Sequence, residues 1–160
     1  MVAESSLELP DEAATLRLGA ALAVGVAPGR TLYLQGDLGT GKTTLVRGLL
    51  RALGHAGRVK SPSYPLLELY VVSRLHLYHF DFYRFKNQTE WLDSGFREYF
   101  NAQSACVVEW PERAGGLLPP PSLAIRLEIA GQGRRAWLSV PSPAGTGWLA
   151  QALQLYSSAA

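Results

Sequence analysis

Apolar and polar positions along the chain fall into two alternating rhythms. Thr31-Leu32-Tyr33-Leu34-Gln35 is a short run of strand formers that ends at a glycine, the pattern of a strand buried on both faces. From Thr43 the spacing changes: apolar residues at 45, 46, 49, 50 and 53 repeat with a helical period, and Gly54 stops the helix. An opening helix is predicted from Pro10 to Val24, with proline and acids at its start and leucines at 16, 18 and 22. Leu66 to Val72 and Arg74 to Phe80 read as strands joined at a polar turn around Ser73, and 88–100 as one or two short helices broken at Gly95. Ala105 to Trp110 is a buried strand stopped by Pro111, and Gly115-Gly116 with Pro119-Pro120-Pro121 forms a surface connection. Leu123 to Ile129 and Arg135 to Val140 alternate around Gly131-Gln132-Gly133 as an antiparallel hairpin with one wet face, and Trp148 to Leu155 closes with a short helix.

The strand–glycine turn–helix order fixes the fold class. A strand feeding a helix through a glycine turn, with further buried strands downstream, implies an α/β protein, and the Gly36-x-x-x-x-Gly41-Lys42-Thr43 spacing of that turn makes it one of the P-loop NTPase type. Its expected form is a three-layer fold, with a mostly parallel central sheet and the C-terminal hairpin added antiparallel. At 160 residues, without repeats or low-complexity tracts, the chain reads as one domain spanning 1–160.

The turn itself carries the chemistry. Gly36-Asp37-Leu38-Gly39-Thr40-Gly41-Lys42-Thr43 fills every required position of the phosphate-binding pattern G-x-x-x-x-G-K-[ST]. A polyphosphate is held by backbone N–H groups aimed inward from a tight turn, and glycine permits both the turn and the close approach. Lys42 reaches the outer phosphates, Thr43 puts its hydroxyl on Mg²⁺, and the following helix directs its positive end at the same anion.

Such a loop needs acids, and two of them end buried strands. Leu75 to Phe80 runs into Asp81, and Cys106-Val107-Val108 runs into Glu109. In a parallel sheet the carboxyl ends of strands face the ligand crevice, which brings both acids beside Lys42. They suit the ordering of Mg²⁺ or of an attacking water, and the sequence leaves open which of them contacts the metal. His79 shares the strand face of Asp81, and its ordinary reading is a core imidazole. Arg84 is a candidate cation for phosphates or for a partner surface.

Bulk properties exclude several classes. A net charge of +2 argues against a dedicated nucleic-acid platform, so contact with RNA is expected to be indirect. One cysteine, Cys106, rules out an internal disulfide and reads as a buried thiol. No apolar run nears the roughly 20 residues that span a bilayer, and Met1 to Ser6 lacks the look of a signal peptide, so a soluble, cytoplasmic protein is expected. No Asn-Lys-x-Asp guanine signature occurs, which favours adenine. A small-molecule kinase using the same loop is the alternative to an ATPase, although only Arg84, Arg97 and Arg113 follow Asp81 in short segments and no arginine-rich lid is evident.

Four ordered motifs carry a family resemblance. Gly36 to Leu45, Val59-Lys60-Ser61-Pro62-Ser63-Tyr64, Tyr78-His79-Phe80-Asp81-Phe82-Tyr83-Arg84 and Val108-Glu109-Trp110-Pro111-Glu112 together resemble the TsaE family, formerly YjeE. The resemblance implies an ATPase component of bacterial threonylcarbamoyladenosine synthesis, partnered by TsaB and TsaD. TsaD would modify adenosine 37 of tRNAs that read codons beginning with A, and ATP hydrolysis would reset the complex between turnovers. Matched position by position, it implies ATP contacts at Gly39, Gly41, Lys42, Thr43 and Thr44, and Mg²⁺ at Thr43 and Glu109. It further implies a hydrolytic role for Asp81, an aromatic beside the site at Trp110, a switch-like loop from Ser61 through Ser63 to Tyr64, and an adenine end near Thr15 and Arg134. The sequence departs from the family at Ser63 and Pro65, where threonine is common. Pro65 also removes a backbone donor.

Overall fold

The central strands are those whose residues have no exposed side. In the computed structural model, which describes residues 3–64 and 66–159, β2 (Thr31–Gln35) buries its three middle residues and β5 (Ser104–Glu109) all six. They pair in parallel, Thr31 opposite Cys106 through Leu34 opposite Glu109. On one side β2 pairs in parallel with β6 (Leu123–Ala130), and β5 with β4 (Leu75–Asp81) on the other. Antiparallel strands extend both flanks: β3 (Leu67–Val72) beside β4, and β7 (Gly133–Val140) then β1 (Ala3–Leu9) beyond β6. The order across the seven-stranded mixed sheet is β1-β7-β6-β2-β5-β4-β3.

Strand alternation divides the core in two. Leu32, Leu34, Leu77, Val107, Ile125 and Leu138 point to one face, where they meet α1 (Glu12–Ala23), α2 (Lys42–Ala52) and α4 (Thr146–Ser158). Tyr33, Phe80, Cys106 and Val108 point to the other, against Phe82, Phe85, Trp91 of α3 (Gln88–Ser94) and Ala114 in the 3₁₀ segment Pro111–Leu117. The three-layer α/β expectation holds. Cys106 is buried, and burial pushes its thiol up to about 12, so it is inert at neutral pH.

Helices α1 and α2 touch through their backbones. A Cβ placed on Gly19 would strike the Leu45 carbonyl oxygen, and one on Gly48 the Leu16 carbonyl oxygen. Asp11 caps α1, accepting from the Ala14 amide at 2.8 Å. The close approaches at Gly19 and Gly48 seat α2, the helix after the glycine turn, directly against α1.

Some features were not foreseen. Strand β1 pairs along its whole length with β7, although Glu4, Ser5, Ser6 and Glu8 give it the look of coil. An edge strand needs few apolar residues, and only Leu7 and Leu9 turn toward the main core. The β3–β4 turn uses two non-glycine residues at positive φ, Ser73 (49°) and Arg74 (66°), the sign pattern of a type I′ hairpin. Helix α4 runs further in both directions than its apolar residues indicate, and a 3₁₀ segment occupies much of the connection after Pro111. Pro65 lies outside the described residues. Among those described, no helix is long and apolar enough to cross a membrane.

Candidate active site

The loop between β2 and α2 turns on three glycines at positive φ: Gly36 (144°), Gly39 (79°) and Gly41 (103°). Four of its carbonyls accept from side chains. Lys42 Nζ donates to Gly36 O at 2.5 Å and to Asp37 O at 2.8 Å, and the Thr40 hydroxyl also donates to Asp37 O. The Arg134 guanidinium donates from Nε to Thr40 O at 3.2 Å and from its terminal nitrogen to Gly39 O at 3.1 Å. The amides are the complement. No side chain caps α2, and the N–H groups of Lys42, Thr43 and Thr44 have no acceptor among the described residues. Donors aimed outward from a helix start, beside a lysine and an arginine, form an anion cradle.

The two acids come together because β4 and β5 run in parallel and in register, with Asp81 opposite Glu109. Glu109 is 2% exposed. Thr43 Oγ1 donates toward its two oxygens at 3.2 and 3.1 Å, and His79 Nε2 lies 2.6 Å from Oε2. Asp81 accepts from the Ser61 hydroxyl and from the Tyr83 amide at 2.9 Å. Burial pushes its carboxyl above the ordinary value, the two hydrogen bonds oppose this, and the charge of Glu109 adds to it. Burial likewise holds the Lys42 ammonium below its ordinary value, against the pull of Glu109 and Asp81.

Trp110 leaves β5 in the left-handed conformation, φ 58° and ψ 48°. Its ring lies 4.7 Å from Lys42 Nζ, with Tyr83 at 4.9 Å and the Arg113 guanidinium at 5.2 Å. Trp110 therefore roofs the lysine.

These groups surround one cavity of about 510 Å³. One wall is Leu38, Gly39, Thr40, Gly41, Lys42, Thr43 and Thr44. Ser61, Asp81, Glu109 and Trp110 form another, and Thr15 and Arg134 lie on its border. Gly36 and Asp37 stand behind the wall, engaged with Lys42 through their carbonyls. Ser63, Tyr64 and Arg84 are exposed and do not line it; Arg84 instead stacks on Tyr64 at 5.3 Å. Of the loop from Ser61 to Tyr64, only Ser61 reaches the acids.

Five residues escape a reading of the sequence: Asp11, Glu12, His79, Gln132 and Gly133. Gln132, in the β6–β7 turn, and Gly133, the first residue of β7, line the cavity through the hairpin, and Asp11 and Glu12 line it from the start of α1. His79 touches Glu109; strand alternation puts 79 and 81 on one face but does not give the partner on β5.

The donor set fits a hard divalent cation. Thr43 and Glu109 offer hydroxyl and carboxylate oxygens side by side. Among the described residues no group of three or more His, Cys, Asp or Glu side chains builds a metal cage. Mg²⁺ rarely uses one, being held by one or two carboxylates with phosphate oxygens and water.

Comparison with known proteins agrees on one family. The sequence profile described as "Threonylcarbamoyl adenosine biosynthesis protein TsaE" matches residues 9–137. The chain is 42% identical over 125 residues to the tRNA threonylcarbamoyladenosine biosynthesis protein TsaE of Haemophilus influenzae, covering 75% of this chain and 79% of that protein. For the Bacillus subtilis protein of the same name the identity is 41% over 108 residues, covering 68% and 67%. The crystal structure of Bacillus subtilis YdiB superposes with a TM-score of 0.79 at 28% identity, over 100% of this chain and 99% of that one.

Proposed function

Because the chain belongs to the TsaE family, we propose that it is an ATP-binding, Mg²⁺-dependent and slowly hydrolysing subunit of the machinery that makes threonylcarbamoyladenosine on tRNA. The observation that carries the reading is convergence: Lys42, Thr43, Asp81 and Glu109, from three elements, face one cavity at the mouth of a glycine loop.

Each residue has a task set by its chemistry. The amides of Lys42, Thr43 and Thr44 receive phosphate oxygens, and Lys42 exchanges the Gly36 and Asp37 carbonyls for the outer phosphates. Thr43 and Glu109 would hold Mg²⁺, which would supply positive charge to offset that of the phosphate oxygens. Asp81, made more basic by burial, orients the attacking water and accepts its proton. Thr15 and Arg134 border the nucleoside end, and Arg134 also steadies the loop through Gly39 and Thr40. Trp110 packs over Lys42 and excludes water from it.

TsaB and TsaD are the partners that the family resemblance implies, with tRNA reached through the complex in the cytoplasm. Hydrolysis by this subunit resets the complex while TsaD modifies adenosine 37. Co-purification at defined nucleotide state, together with phosphate release, tests the reading. TsaB and TsaD are expected to be retained with ATP and to raise turnover. If they alter neither retention nor rate, the subunit reading fails; if the phosphate passes to a metabolite, the kinase alternative replaces it.

A further inference from the structure

A histidine that only packs has its polar atoms satisfied or exposed, and His79 has one ring nitrogen that is neither. It is fully buried on β4, on the face shared with Leu77 and beside Val107 of β5. Its Nδ1 has no hydrogen-bond partner among the described residues, while Nε2 lies 2.6 Å from Glu109 Oε2. The single polar engagement of this imidazole is therefore Glu109. An apolar side chain would fill the same space without an orphaned nitrogen, so packing gives no reason for histidine here.

The neighbouring contact shows what that engagement adds. Thr43 Oγ1 sits almost equally far from both oxygens of Glu109, at 3.2 and 3.1 Å, and so does not distinguish them. His79 does. A glutamate has three rotatable side-chain bonds, yet Mg²⁺ demands an oxygen at about 2.1 Å in near-octahedral geometry.

We infer that His79 is a positioning residue: by holding Glu109 Oε2 it fixes the carboxylate so that Oε1, the oxygen His79 leaves free, is the one presented to the nucleotide's divalent cation. Register delivers the geometry. His79 stands opposite Val107 and Asp81 opposite Glu109, so His79 meets Glu109 on the diagonal between parallel strands. The inference rests on the reading above that Glu109 serves the cation.

Calorimetric titration with a non-hydrolysable ATP analogue tests it, run once with Mg²⁺ and once with EDTA. The readout is the gain in affinity that Mg²⁺ confers. Glu109→Gln is expected to abolish most of that gain; if it keeps the gain in full, the assignment of Glu109 itself fails. His79→Leu is expected to lose about tenfold or more of the gain, the usual cost of removing a ligand's supporting contact, with affinity in EDTA unchanged. His79→Gln places an amide nitrogen where Nε2 was and is expected to restore the gain, whereas the shorter His79→Asn is not. Thermal unfolding confirms which variants fold, and the Gln–Asn comparison decides the matter if the leucine variant does not. A wild-type gain in a folded His79→Leu, or equal gains in the Gln and Asn variants, overturns the inference while leaving Glu109 in place.

Discussion

Asp81 and Glu109 stand directly opposite one another on neighbouring parallel strands, two carboxylates in register at the strand ends nearest the glycine loop. Like charges so placed repel. Lys42 donates to loop carbonyls rather than to either carboxylate, and burial holds it below its ordinary value just as it lifts Asp81 above. The protein alone therefore carries an electrostatic cost at this site. A divalent cation bound there would relieve it.

Asp81→Asn is expected to stabilise the protein without nucleotide while cutting turnover by about 10²–10⁴-fold, the usual contribution of a general base. A carboxyl raised in the native state favours the protonated form there. That preference contributes fully below the unfolded value and is lost as pH rises through the native one. Wild type thus loses stability over a range where the asparagine variant does not. The difference in Tm between them should be largest near neutral pH and shrink in acid. Thermal unfolding at several pH values checks this, and a gap that widens in acid contradicts it.

Lys42→Ala removes the amine that the loop holds ready. A hydrogen bond to a charged group contributes about 1.5–3 kcal/mol, so affinity for ATP should fall roughly 10- to 100-fold. Calorimetry against wild type measures it. An unchanged affinity would place the phosphates elsewhere.

Gly48→Ala tests the backbone contact beneath the loop helix. Alanine has the better helix propensity by about 1 kcal/mol, yet its Cβ would meet the Leu16 carbonyl and backbone, which cannot rotate away. Overpacking costs about 1–3 kcal/mol, and here the rigid partner makes the clash prevail. A fall in Tm of a few degrees is expected, since about 1 kcal/mol shifts a chain of this size by roughly 2–4 °C. A rise in Tm would mean that the helices separate without cost.

Legibility from the sequence followed the physics of each element. The loop and its flanking strand and helix were plain because glycine spacing, a buried run and a helical period coincide between residues 31 and 54. Asp81 and Glu109 were found because an acid ending an apolar strand is conspicuous. Strand β1 was hidden because an edge needs little apolar content, and its pairing with β7 spans almost the whole chain. The engagement of His79 could not be read either, since it depends on the register of β4 against β5, which periodicity alone does not supply. Ser63, Tyr64 and Arg84 face solvent outside the cavity, a placement that the order of the motifs does not supply.

Trp110 supplies an optical report. Its ring lies 4.7 Å from an ammonium that the proposed binding moves toward phosphate. Trp91 and Trp148 are buried in the two cores, and Trp137 bonds Glu128 on β6. Nucleotide should therefore change the intrinsic fluorescence, and Trp110→Phe should remove most of the change. A response that persists in that variant would contradict the placement of Lys42 under this ring.

The most direct measurement of the central claim is release of inorganic phosphate from ATP with Mg²⁺, by the native chain and by Lys42→Ala, Asp81→Asn and Glu109→Gln. Slow, Mg²⁺-dependent release by the native chain and background rates in all three variants is the expected result. Native rates in the three variants would contradict the account.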